Sequence, residues 1–96
     1  GPAYFFYLLK VYEKELLKMC NGNKYEVNAI MTNLLEGVSQ SLKVNDDLDD
    51  LIKMVASKKG TTEAGLKSFS INKIDKIFED GLKKAIKRSK EISNEY

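Results

Sequence analysis

Residues 3–9 read Ala3-Tyr4-Phe5-Phe6-Tyr7-Leu8-Leu9, with no charge and no turn former among them. On an α-helix successive residues lie about 100° apart, so seven apolar residues in a row surround the axis instead of forming one stripe. Pro2, just before, suits a first helical turn, where its missing N–H is not needed, and Asn21-Gly22 suits a helix end. The spacing predicts a first helix over about 3–19. Such a helix must be covered from several sides, and a chain of 96 residues has little other mass to do so. A partner chain or another domain is expected against it.

Helical periodicity continues outward from this segment, giving an all-α chain of about five helices. The second opens on Asn23 with Glu26 three residues later, a capping-box-like start, and carries Val27, Ile30, Met31, Leu34, Leu35, Val38 and Leu42 on one face as an expected core stripe. The third begins around Asn45-Asp46-Asp47-Leu48-Asp49-Asp50, whose carboxylates suit the positive end of a helix dipole. A calcium loop is the sharper reading of that cluster. It needs alternating ligands around a central Gly and a distal Glu, which these residues lack, so capping is the expectation. A small, hydroxylated loop, Ala56-Ser57-Lys58-Lys59-Gly60-Thr61-Thr62, leads into a short fourth helix over about 63–68. Gly60 permits backbone angles closed to other residues, Thr61 can cap, and the first N–H groups of the new helix can face an anion. An ordinary helix–helix turn reads the same way, and the residues by themselves leave both open.

The last helix is expected over about 70–93, with Ile71, Ile74, Phe78, Leu82, Ala85, Ser89 and Ile92 recurring every three or four residues. Gly81, Ala85 and Ser89 would let another helix come close. Its run Lys83-Lys84-Ala85-Ile86-Lys87-Arg88-Ser89-Lys90 reads as a nucleic-acid stripe or as a solvated face. Glu79 and Asp80 each precede a lysine by four residues, and cations suit a helix C-terminus, which favours the solvated face.

Composition narrows the functional classes. With 43% hydrophobic and 31% charged residues, 6 Gly and 1 Pro, the chain fits one folded domain over 1–96 and not a disordered segment. Sixteen basic and 14 acidic residues leave a net charge of +2, too little to imply nucleic acid as a partner. No apolar run approaches the roughly 20 residues of a membrane crossing. No basic segment precedes the apolar stretch as in a signal peptide, so the expectation is a cytoplasmic protein. Cys20 is the one cysteine and histidine is absent, which removes the usual zinc sites, cysteine proteases and serine triads. Cys20 itself reads as a small, partly buried residue. Gly1 in place of an initiating Met points to a fragment of a longer protein.

Three stretches, in order and in register, resemble the C-terminal domain of pyrroline-5-carboxylate reductase. Gly1-Pro2-Ala3-Tyr4 looks like the Ser-Gly-Pro-Ala-Tyr with which that domain's long first helix begins. Leu51-Ile52-Lys53-Met54-Val55-Ala56-Ser57-Lys58-Lys59-Gly60-Thr61-Thr62 is similar to Leu-Lys-Asp-x-Val-x-Ser-Pro-Gly-Gly-Thr-Thr, and Lys87-Arg88-Ser89-Lys90-Glu91-Ile92 follows at the expected place. The resemblance implies a helical dimerisation domain, interlocked with that of a partner chain, following a Rossmann domain not found in these residues. It implies a parent that reduces 1-pyrroline-5-carboxylate to proline with hydride from NADPH or NADH. The dinucleotide fingerprint is missing here, so this segment alone is expected to be inactive.

Carried onto matching positions, the resemblance gives the substrate carboxylate to Ser57, the backbone of Gly60 and Thr61, and the hydroxyl and N–H of Thr62. It supplies no general acid and no metal ligand in this chain. Three departures bear on that site. Lys58-Lys59 stands where the family has Pro-Gly, Ile52-Lys53 replaces Lys-Asp, and Lys10 is basic where an acid is common. These differences keep open a reductase-like paralogue of the late-competence type, or a helical dimerisation module without enzyme activity.

Overall fold

Five helices and no strand make up the computed structural model, which describes residues 1–56 and 60–95. They are α1 (Pro2–Met19), α2 (Lys24–Val44), α3 (Leu48–Ala56), α4 (Thr61–Ile71) and α5 (Ile74–Glu95). The all-α expectation and its helix number are met. The chain divides into two units, Gly1–Leu51 and Ile52–Tyr96, with the division inside α3.

In the first unit, α1 begins with Pro2 in its first turn and ends where Gly22 N–H donates to Leu17 O at 2.8 Å. Asn21 (φ 53°) and Gly22 (φ 78°) both take the left-handed conformation, which gives a Schellman ending built from two residue types that tolerate it. One residue on, Asn23 Oδ1 accepts the Glu26 N–H at 3.1 Å and caps α2, as its spacing predicts. The acidic run behaves as a cap as well. Asp47 Oδ1 accepts the Asp50 N–H at 3.1 Å, Asn45 Oδ1 accepts the Asp47 N–H at 3.0 Å, and Asn45 Nδ2 donates to Asp50 Oδ2 at 2.8 Å. Two of the four aspartates are thereby engaged in starting α3.

Helices α1 and α2 pack on each other. Val27, 1% exposed, and Met31 are the buried apolar residues of the described chain, while Leu9, Leu16 and Leu17 of α1 are half-buried. The longer core stripe expected on α2 is not a core within this chain: Ile30, Leu34, Leu35, Val38 and Leu42 are all exposed. The periodicity was a correct sign of an apolar face, but of that face only Val27 and Met31 are buried among the described residues.

The second unit departs from expectation at its helix boundaries. Helix α4 runs to Ile71, so Ser70 and Ile71 belong to it and not to the last helix. The break falls at Asn72-Lys73. Asn72 donates to Ser68 O through both its backbone N–H (3.0 Å) and its Nδ2 (2.8 Å), Lys73 N–H donates to Ser70 O at 3.1 Å, and Lys73 takes φ 57°. Closing the last carbonyls in this way ends a helix without Gly or Pro. Helices α4 and α5 then pack on each other, with Gly65, Leu82 and Ala85 half-buried. On the outer side of α5, Glu79–Lys83 (2.8 Å) and Asp80–Lys84 (3.1 Å) form the i,i+4 pairs that the solvated-face reading requires.

Candidate functional site

Gly60, Thr61 and Thr62 stand consecutively at the entry to α4. Gly60 holds φ 73° and ψ −5°, a left-handed N-cap with no side chain to satisfy the helix. Among the described residues a Cβ there would meet nothing within 4 Å, and the φ of 73° is what calls for glycine. The cap role expected of Thr61 therefore falls to Gly60, and Thr61 is the first helical residue. The helix's own ladder opens with Ala64 N–H donating to Gly60 O at 3.0 Å. Ahead of it, the N–H groups of Thr61, Thr62 and Glu63 have no acceptor inside the helix, and they carry the positive end of its dipole. Thr61 and Thr62 are exposed. Glu63 places a carboxylate in the same first turn, which favours the helix and competes for the same donors. Ser57, with Lys58 and Lys59, lies outside the described residues.

A second feature is the apolar surface left open in each unit. Phe5, Phe6 and Tyr7 are consecutive in α1 and 60%, 68% and 74% exposed. Being about 100° apart, they cannot be covered by one neighbouring helix. The outer part of the α2 stripe, Ile30, Leu34, Leu35, Val38 and Leu42, is exposed as well. Sequence reasoning took it for core, since an interface stripe and a core stripe share one period.

Cys20, at the end of α1, is half-buried and free. Its partial desolvation, with the Glu26 carboxylate accepting its hydrogen, raises the thiol above its ordinary range. It is held as a thiol, in line with the packing role read from its surroundings. Among the described residues no helix is long and apolar enough to cross a membrane.

Comparison with known proteins bears on what this combination of open apolar helices and glycine-led turn belongs to. The family described as pyrroline-5-carboxylate reductase dimerisation matches residues 1–92. The chain belongs to that family. A pyrroline-5-carboxylate reductase of Staphylococcus aureus (strain COL) is 37% identical over 95 residues, covering 98% of this chain and 35% of the relative. Proteins of the same name from Staphylococcus saprophyticus and Staphylococcus haemolyticus are 31% and 34% identical over 99% and 97% of the chain. As a pyrroline-5-carboxylate reductase dimerisation segment, the chain spans about a third of the length of these curated relatives. No solved structure gives a significant match.

Proposed function

We propose that residues 1–96 act as one dimerisation and substrate-binding domain of a pyrroline-5-carboxylate reductase, which reduces 1-pyrroline-5-carboxylate to L-proline in proline biosynthesis. The observation that carries this is the family match over residues 1–92. The exposed apolar faces of α1 and α2 support the dimerisation half of the reading, since an association that buries such faces removes their contact with water. A homodimer or a higher homo-oligomer is the assembly, and the cytoplasm is the compartment that goes with it.

For substrate, the carboxylate of 1-pyrroline-5-carboxylate sits at the start of α4. It takes hydrogen bonds from the Thr62 hydroxyl and N–H and from the backbone of Gly60 and Thr61, with Ser57 completing the site. Supporting this, the left-handed Gly60 starts α4 without a side-chain cap, which leaves the first-turn N–H groups to an external anion. Oriented donors at a helix start recognise a carboxylate without an arginine. The chain's catalytic share is to position the ring imine.

The hydride donor, NADPH or NADH, is assigned to another part of the full-length protein. The described residues contain five helices and no strand, and the Gly-rich strand-to-helix cradle of a dinucleotide is not among them. On its own, this segment is inactive. In the full-length enzyme, Thr62→Ala is expected to raise the KM for 1-pyrroline-5-carboxylate by about 10-fold or more, from the loss of a hydrogen bond to a charged group. Helix content should not change. An unaltered KM would remove Thr62 from the site.

A second reading, a paralogue that dimerises but has lost the reaction, rests on Lys58-Lys59 in place of Pro-Gly. NAD(P)H-dependent turnover by the wild-type full-length protein separates the two. Robust reduction supports the enzyme, and a folded, cofactor-binding dimer with no turnover supports the paralogue.

A further inference from the structure

The turn between α1 and α2 carries Asn21-Gly22 on exposed backbone. In such a pair the Gly22 amide nitrogen can attack the Asn21 side-chain amide with no Cβ on the glycine to obstruct it. Two features of the turn oppose that attack. Gly22 N–H donates to Leu17 O at 2.8 Å, which engages the nucleophilic nitrogen. Asn21, at φ 53°, lies in the left-handed region, whose positive ψ turns the following nitrogen away from its own side chain.

We infer that Asn21 is a self-modification site gated by the Schellman turn: it deamidates from the opened turn and is guarded while the Gly22–Leu17 bond holds. The step balances with water as the only co-reactant. Gly22 N loses its proton to base and bonds to Asn21 Cγ, and the Cγ–Nδ2 bond breaks, releasing ammonia and leaving a five-membered succinimide. Water then opens the ring at either carbonyl, giving an aspartyl or an isoaspartyl residue. Both products put a carboxylate at the negative end of α1, where it is repelled. The isoaspartyl form also adds a backbone atom between Leu17 and Gly22, so the Schellman bond cannot reform in register. Since buried Val27 follows within two turns of α2, the modification works as a one-way release of the α1–α2 packing.

The test compares the intact protein in buffer with the same protein unfolded in urea, at one mildly alkaline pH and temperature. Cleavage after Lys18 and Lys24 frees residues 19–24, in which mass spectrometry resolves the asparaginyl, aspartyl and isoaspartyl forms. Conversion at Asn21 is expected to be about tenfold or more faster in urea, because the native rate is scaled by the fraction of open turn. Val27→Ala should raise the native rate and leave the urea rate unchanged. If that variant unfolds outright, its two rates must coincide. Equal rates for the wild-type protein in buffer and in urea would overturn the proposal, as would conversion confined to Asn23. Asn21→Asp, which supplies the product's charge directly, should speed hydrogen exchange at the Gly22 amide, and unchanged exchange would count against the release.

Discussion

Helices α1 and α5 are both long and both leave apolar side chains in the open, yet they meet water differently. On α5 Ile74, Phe78, Leu82 and Ala85 form a stripe, flanked by exposed Ile77 and Ile86, and charged side chains elsewhere on it pair as Glu79–Lys83 and Asp80–Lys84. The first half of α1 has no such partition: nothing charged occurs before Lys10, and Phe5, Phe6 and Tyr7 are exposed in succession. One helix brings its own solvated side, while the other relies on being surrounded. A family defined by dimerisation accounts for that reliance, and α1 is where association should be most sensitive to change.

The sharpest way to break the contrast is a charge on each helix. Phe6→Glu is expected to weaken self-association by about 30-fold or more, the effect of losing a buried aromatic anchor. Lys87→Glu on α5 should change it by less than about twofold. Sedimentation equilibrium decides, and equal effects would dissolve the distinction. Next in size is Val27→Ala, which should cost about 1–3 kcal/mol in urea unfolding, since it trims a buried side chain of α2, the helix that packs on α1. A loss well below that range would mean that the α1–α2 contact contributes little. Smaller again is Lys83→Ala, at about 0.3–0.5 kcal/mol, which should fade in high salt as an exposed i,i+4 pair does. The smallest effect concerns Cys20. At pH 8 its alkylation should be slower in the folded protein than in the unfolded chain, the two converging as pH climbs well past the ordinary thiol value of 9.0. A folded rate that matches the unfolded one at pH 8 would remove the influence of Glu26.

Much of this arrangement was legible in the residues because local rules and tertiary structure agree. Asn23 with Glu26, Asp47 with Asp50, and Glu79 with Lys83 are contacts within a few residues, and nothing distant overrides them. The boundary at Asn72-Lys73 was not legible. The apolar period runs across it from Ile71 to Ile74, and the turn depends on an asparagine that bonds back to Ser68, a choice composition does not announce. Burial along α2 was misread for a different reason: Leu34, Leu35 and Val38 look like core residues whatever covers them. At the candidate site, the register of Gly60, Thr61 and Thr62 at a helix start was readable from the glycine. Its particular cap was not, since threonine is the commoner capping type.

The sparse interior has a consequence for how the protein behaves as its amount changes. If the proposed assembly covers the faces that Val27 and Met31 do not fill, folding becomes a second-order event. Dilution then acts as a denaturant. The thermal midpoint climbs with protomer concentration, and refolding accelerates when more chains are present. A newly made chain at low abundance would spend its first moments with α1 unclothed, so expression level itself becomes a variable of structure.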